Sequence, residues 1–332
     1  MRKQVVVYKK LPESELAKLR QSFDITLFDF IDDSNRETFL DAIKMAHGLI
    51  GASVKFTGEM LSKAECLEAI STISVGYDTF DVRWLTEHGI LLTNTPDVLT
   101  ETVADTIFAL ILATARRVVE LAEFVKAGRW KRSIDQSLYG TDVHSKKLGI
   151  LGMGRIGTAL TRRARLGFNM EIFYFNRRPN PEVESRFGAR HCAFEEVLCL
   201  PDFICLVLPL SKETERIIGA TEFAKMKQGA IFINGSRGRV VDQAALIQSL
   251  ESGHLGGAGL DVFEKEPLPA DSPLLKMPNV VALPHIGSAT HETRLAMVRC
   301  AVDNLIEVLS GRPSKNAVNP EAIKNRFHAE QS

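Results

Sequence analysis

The run Leu148–Gly157, reading LGILGMGRIG, constrains the fold of this chain more than any other segment. An apolar strand enters Gly152-Met-Gly-Arg-Ile-Gly157, and a helical pattern follows. A second apolar strand, Glu171–Phe175, then ends on Asn176-Arg177-Arg178. That order is what a Rossmann βαβ unit requires. Gly152 permits a tight turn, Gly154 lets backbone approach a pyrophosphate, and Gly157 lets helix and strand pack closely. The phosphates then lie over unpaired N–H groups at a helix N-terminus, where the dipole favours negative charge. The ligand this geometry predicts is a dinucleotide.

The end of the second strand discriminates between dinucleotides. A reader of NAD normally places Asp or Glu there, on the ribose hydroxyls. Here the position holds Asn176, with Arg177 and Arg178 directly after it. A carboxylate repels a ribose 2′-phosphate, whereas guanidiniums pair with it bidentately. NADP(H) is therefore preferred, with NAD(H) as the alternative.

A length of 332 residues is more than one ordinary domain needs, and a 45% hydrophobic composition supplies two cores. Lys+Arg 41 against Asp+Glu 41 gives a formal charge of zero, which argues against a nucleic-acid partner or an anionic membrane surface. No apolar run approaches a membrane span, and Met1–Tyr8 is too short for a signal peptide. The five cysteines show neither CxxC nor disulfide-like spacing, and read as reduced thiols of a cytoplasmic protein. His191-Cys192 lacks a partner set, so no metal site is expected.

Before the glycine loop the chain alternates strand and helix. Strands are expected at Gln4–Tyr8, Ile25–Phe28, Gly48–Gly51 and Thr72–Val75, with helices at Glu13–Arg20, Glu37–Met45 and Phe80–His88. Thr100–Ala127 reads as one long helix closed by Gly128, its apolar stripe wide enough for domain packing or a dimer interface. Further strands are expected at Ala230–Asn234, Phe203–Val207 and Leu260–Val262, then an amphipathic helix Thr290–Leu309 stopped at Gly311. The fold class is α/β: two Rossmann-like domains with parallel sheets. The cofactor domain, 100–287, is inserted into a discontinuous, flavodoxin-like substrate domain, 1–99 with 288–332.

Nearly the whole chain resembles the D-isomer-specific 2-hydroxyacid dehydrogenase family, in particular its glyoxylate/hydroxypyruvate reductase and 2-ketogluconate reductase branch. The strings that carry the resemblance begin with Ser74-Val-Gly-Tyr-Asp78, Thr102-Val-Ala-Asp-Thr106, Gly152–Gly157 and Leu208-Pro-Leu210. They continue with Asn234-Gly-Ser-Arg-Gly238, Asp261-Val-Phe-Glu-Lys-Glu-Pro267 and Pro284-His-Ile-Gly-Ser-Ala-Thr290. The resemblance implies a cleft between two domains, a homodimer, and reduction of small 2-keto acids to D-2-hydroxy acids. Glyoxylate, hydroxypyruvate, 2-ketogluconate and its 6-phosphate are the candidate substrates.

The chemistry supports an Arg237/Glu266/His285 set. Arg237 follows a strand at the carboxyl end, where α/β sheets build ligand sites. Its planar guanidinium holds carboxylate and ketone oxygens together and stabilises developing alkoxide charge. His285, in a proline-bounded turn, has the acid–base range to donate a proton in reduction and recover it in oxidation. Glu266, matching the family's acidic partner, orients the ring and favours imidazolium.

From the resemblance, Val75 and Gly76 offer backbone N–H groups to the substrate carboxylate, and Asp261 accepts from the nicotinamide carboxamide. Likewise Thr106 touches a phosphate, Arg155 and Ile156 continue the pyrophosphate cradle, and Leu208 and Pro209 flank the adenosine. Segments 52–56 and 129–139 rim the cleft, the latter reaching towards a partner subunit, and Lys55 and Arg132 are candidates for a sugar-acid tail. Two other readings share the fold. One is a phosphite-type dehydrogenase, which carries a lysine where this chain has Val75. The other is a dinucleotide-sensing corepressor, whose interaction tails find little room in a chain that enters strand at Val5 and ends soon after Asn319.

Overall fold

Short apolar runs bounded by turns become parallel strands buried on both faces when helices cross between them. The computed structural model, which describes residues 2–323, forms two such sheets. They belong to two compact units, one built from the chain up to Leu99 and from Thr290 onward, the other from Thr100–Ala289.

The first unit runs β1 (Gln4–Val7), α1 (Glu13–Ser22), β2 (Asp24–Leu27), α2 (Arg36–Lys44), β3 (Gly48–Gly51), α3 (Gly58–Leu61), β4 (Ala69–Thr72), α4 (Val82–Glu87) and β5 (Leu91–Thr93). Its strands pair in parallel in the order β2-β1-β3-β4-β5, the flavodoxin-like arrangement. Val5, Val6, Leu49, Ile50 and Ile70 fill both faces of the sheet. The strand expected at Thr72–Val75 is Ala69–Thr72 instead. Its neighbour β3 offers only four partners, Gly48 to Gly51 against Ala69 to Thr72, so Val75 and Gly76 lie in the loop beyond the strand's carboxyl end.

The second unit begins with α5 (Thr100–Ala115), α6 (Val118–Lys126), β6 (Lys147–Leu151), α7 (Arg155–Phe168) and β7 (Glu171–Phe175). It continues through α8 (Pro181–Phe187), β8 (Arg190–His191), α9 (Phe194–Cys199), β9 (Phe203–Leu206) and α10 (Ala220–Lys225). The remaining elements are β10 (Ile231–Asn234), α11 (Gln243–Glu251), β11 (Gly257–Leu260) and β12 (Val280–Ala282). The sheet order is β12-β11-β10-β9-β6-β7-β8, every pair parallel. The order reverses at β6, so the glycine loop stands at the switch point where such sheets bind ligands. The chain then returns to the first unit as α12 (His291–Leu309), capped by the Thr290 hydroxyl and packed on β3, β4 and α1.

Two further expectations differ from the structure. The single helix Thr100–Ala127 is two helices, broken at Arg117, whose φ is 53°. No glycine or proline marks the break. The Ala115 carbonyl accepts the Thr141 N–H instead of continuing a helical ladder, and Arg117 donates to the Ser137 and Tyr139 carbonyls. The strand expected at Leu260–Val262 is Gly257–Leu260. Its glycines look like a loop, but a Cβ at Gly259 would meet the Leu110 Cβ and the Thr114 hydroxyl, both at 3.0 Å, so they are strand residues that admit α5. No helix among the described residues is long and apolar enough to cross a membrane.

In the first unit the Tyr8 ring lies directly over Gly51, where a Cβ would stand 2.4 Å from a ring carbon. Gly51→Ala overpacks this core, and unfolding by denaturant should show a loss of about 1–3 kcal/mol. An unchanged unfolding midpoint would contradict this packing.

Candidate functional site

Three loops at the carboxyl ends of β10, β11 and β12 carry the polar residues of the second unit's site. The first is set by Asn234, the last residue of β10, which is buried. Its Oδ1 accepts from the Ser236 N–H at 3.0 Å and the Ser236 hydroxyl at 2.9 Å, while its Nδ2 donates to the Arg237 carbonyl at 3.2 Å. This closes a turn that presents Arg237, half-buried, with Nη1 donating to the Ser236 carbonyl at 2.9 Å. The next residue, Gly238, has no room for a side chain: a Cβ there would lie 1.8 Å from the Phe263 carbonyl carbon. Glycine thereby brings the Arg237 turn onto the backbone of the second loop.

That second loop, after β11, folds back on itself through Glu266, whose Oε1 accepts the Phe263 N–H at 3.0 Å. Its other oxygen, Oε2, stands 2.8 Å from Nδ1 of His285 in the third loop. A ring nitrogen facing a carboxylate carries the proton, which leaves Nε2 pointing away from Glu266. His285 is exposed and has φ 55°, a left-handed backbone that costs a non-glycine residue of order 1–3 kcal/mol. Arg237, Glu266 and His285, singled out in the sequence, are thus held by three neighbouring loops of one unit.

The electrostatics separate two carboxylates that lie five positions apart. Partial burial pushes the Glu266 carboxyl up, yet the hydrogen bonds from His285 and Phe263 and the charges of His285 and Arg237 outweigh it. The carboxyl is held below the usual glutamate range. Because the folded group is the stronger acid, the pair stabilises the fold above the ordinary value of ~4.3 and loses that contribution as pH falls through the depressed one. Asp261 goes the other way. Burial pushes its carboxyl above the aspartate range, against the opposing pull of two backbone N–H donors.

The glycine loop joins β6 to α7. Gly152 has φ 106°, and a Cβ there would meet the Val207 carbonyl oxygen at 2.7 Å; at Gly157 it would meet the Gly152 oxygen at 2.3 Å. Gly154 differs from both. Its φ is −86°, open to any residue, and an added Cβ meets no protein atom within 4 Å. Neither conformation nor packing crowds glycine at this exposed helix cap, and a pyrophosphate fits the open space beside it. Arg155 and Ile156 open α7 on the same rim. Asn176, just past β7, donates from Nδ2 to the Arg178 carbonyl, and Arg177 and Arg178 are exposed. Leu208 packs against the core beyond β9, with Pro209 exposed after it. The Thr106 hydroxyl lies 3.2 Å from the Thr102 carbonyl and 3.4 Å from that of Gly287.

In the first unit, Asn94 Nδ2 donates to the Val75 carbonyl at 2.8 Å and the Thr95 N–H to the Ser74 carbonyl, fixing the loop that holds Val75 and Gly76. Lys55 is exposed. Arg132, in the second unit, is 86% exposed and 3.6 Å from Asp135. The sequence reading missed Asn234 and Gly238 as the residues that shape the Arg237 turn. An Asn-Gly-Ser string directly after an apolar strand is the signal that could have found them.

Residues 108–287 match the family model described as D-isomer specific 2-hydroxyacid dehydrogenase, NAD binding domain. The chain belongs to this family. It is therefore an NAD(P)-dependent oxidoreductase. Among its relatives in the family, the glyoxylate/hydroxypyruvate reductase B of Escherichia fergusonii is 56% identical over 324 residues, 98% of this chain and 100% of that one. A crystal structure of a Thermus thermophilus protein superposes with a TM-score of 0.87 at 41% identity, covering 95% of this chain and 99% of that chain. An NADPH-dependent glyoxylate/hydroxypyruvate reductase of Sinorhizobium meliloti, solved with NADP and malonate, superposes with a TM-score of 0.84 at 31% identity, covering 97% and 98%.

In this dehydrogenase the contact at Gly238 offers a direct check. Gly238→Ala forces the Arg237 and Phe263 loops apart, so the variant should lose both thermal stability and most of its oxidoreductase activity. A variant that melts and turns over like the unmodified protein would show that the two loops do not touch.

Proposed function

We propose that this dehydrogenase is an NADPH-preferring reductase of small 2-keto acids to D-2-hydroxy acids, with glyoxylate and hydroxypyruvate as its substrates. The single observation that carries the reading is the 2.8 Å contact of Glu266 with His285 Nδ1, close enough to Arg237 for its charge to act on Glu266. The name of the E. fergusonii relative supports the same substrates.

Each role follows from residue chemistry. Arg237 grips the carboxylate and ketone oxygen of the substrate and stabilises negative charge on that oxygen as it develops. His285, held by Glu266 through Nδ1, gives the proton on Nε2 to the ketone oxygen; Glu266 stabilises the imidazolium before transfer. In the first unit, the Val75 and Gly76 N–H groups are assigned to the substrate carboxylate. NADPH, when bound, supplies the hydride.

For the cofactor we assign Gly152, Gly154, Arg155, Ile156 and Gly157 to the pyrophosphate, and Leu208 and Pro209 to the adenosine. Asn176, Arg177 and Arg178 receive the ribose 2′-phosphate, and Asp261 the carboxamide. Thr106 reaches a phosphate only by releasing the carbonyls its hydroxyl now faces. A homodimer is supported by exposed apolar side chains on and after α6, among them Val118, Val125, Trp130 and Ile134. The five free cysteines support a reducing, cytoplasmic setting. Lys55 and Arg132, both exposed, remain the candidates for the tail of a longer sugar-acid substrate such as 2-ketogluconate.

An NADPH-oxidation screen against glyoxylate, hydroxypyruvate, 2-ketogluconate and its 6-phosphate tests the activity. Failure with all four would favour a dinucleotide-sensing role instead. Losing the guanidinium partners of a phosphate costs at least ~1.5 kcal/mol, so Arg177→Ala/Arg178→Ala should raise KM for NADPH about tenfold or more. KM for NADH should stay nearly constant. Equal efficiency with NADH and NADPH in the unmodified enzyme would defeat the assignment.

The catalytic assignments separate by kinetics. Arg237→Ala should damage both KM for the keto acid and kcat, whereas His285→Ala should chiefly lower kcat, by about 10²–10⁴-fold. Glu266→Gln keeps a hydrogen-bond acceptor but loses the charge, so the alkaline limb of the kcat profile should move to lower pH. Normal turnover by His285→Ala at its optimum would remove the proton donor from this scheme.

A further inference from the structure

Asp261 stands one residue beyond β11 and is 3% exposed. Both of its carboxylate oxygens are engaged by the loop that carries His285: Oδ1 accepts the Ile286 N–H and Oδ2 the Gly287 N–H, each at 2.7 Å. These are the two amides that directly follow His285. The left-handed backbone at His285, φ 55°, turns the chain so that both N–H groups converge on one anion, the arrangement of a nest. The ring is thereby gripped at two points. Glu266 holds its Nδ1, and Asp261 holds the peptide groups on which its Cα rides.

We infer that Asp261 is a positioning residue for His285: its carboxylate pins the Ile286–Gly287 amide pair and so maintains the turn that delivers the imidazole to Glu266. The inference rests on the reading of His285 as the proton donor. A carboxylate is the group this position needs, because an amide offers one acceptor oxygen and opposes the second N–H with its own N–H₂. Gly287 belongs to the same device. A Cβ there would stand 3.0 Å from Asp261 Oδ2, so any larger residue presses on the anion from the loop side. Each carboxylate oxygen keeps further acceptor capacity, so holding the loop and accepting a carboxamide are compatible. Asp261 would then set the acid and the nicotinamide from one rigid group.

The test is a double-mutant comparison on the protein without cofactor, read by nuclear magnetic resonance with ¹⁵N-labelled histidine. The His285 ring signals are assigned by their loss in His285→Gln. At fixed pH, Glu266→Gln should move the His285 Nδ1 signal clearly in the otherwise unmodified protein. In an Asp261→Asn background the same change should move it by less than half as much, because the ring no longer rests against Glu266. With keto acid and NADPH, Asp261→Asn should lower kcat by about 10- to 100-fold, as misplacement of a reacting group does.

Equal responses to Glu266→Gln in both backgrounds overturn the inference. If Asp261→Asn does not fold, Gly287→Ala takes its place, with a smaller shift in the same direction. An unaltered His285 signal and kcat in Gly287→Ala overturn it too. Absence of keto-acid turnover in the unmodified enzyme would instead count against the functional reading, and the resonance comparison would still decide the positioning.

Discussion

The site depends first on a contact between two backbones. Gly238 lies against the Phe263 carbonyl so closely that even a methyl group is excluded, and this approach fixes the spacing of two strand-end loops. Arg237 precedes the glycine in one loop; Glu266 follows Phe263 by three residues in the other and closes back on the Phe263 N–H. Side chains as long as Arg and Glu lose considerable rotamer freedom when ordered. Here their backbones are set by main-chain packing and local hydrogen bonds, so part of that ordering is achieved in folding. The Asn234 turn acts in the same sense, because its amide is fully used inside the loop.

The three glycines of the glycine loop stand in three different settings. Gly152 is required by conformation and by the Val207 carbonyl, and Gly157 by contact with Gly152 itself. Both of those demands come from the protein. Gly154 answers to neither, since its backbone is ordinary and its surroundings are open. Gly154 therefore leaves the space beside the helix cap open. At the cap of a fourteen-residue helix, the group that such a space favours is an anion.

Much of the architecture was legible because its determinants are local. The Gly152–Gly157 turn, the apolar runs of β3 and β7 and the Gly311 stop after α12 are short-range stereochemistry, readable from adjacent residues. Where distant segments decide, local sequence points elsewhere. Thr72–Val75 is as apolar as the true strand Ala69–Thr72, and only pairing with β3 selects the latter. Arg117 breaks a helix because Ser137, Tyr139 and Thr141 bind its turn, a cause some twenty residues away in sequence. The glycines of β11 resemble a linker until α5 is placed against them. Arg237, Glu266 and His285 could be nominated from chemistry and resemblance, but the hydrogen bond between Glu266 and His285 spans nineteen positions and required the fold.

The two acids of the β11 loop differ because their environments differ. Glu266 remains partly open to solvent and meets a histidine ring, a backbone N–H and a guanidinium, which together favour its ionised form. Asp261 is buried, and its two N–H donors and the charge of His285 do not outweigh that burial, which the charge of Glu266 reinforces, so its carboxyl moves upward. A proton donor needs a partner that stabilises charge as the ring gains it, which suits the open, ionised Glu266. An anchor needs fixed geometry and isolation from water, which suits the sealed Asp261. The same functional group therefore stands in two settings five residues apart, and the depth at which the loop places each one sets the direction in which its carboxyl moves.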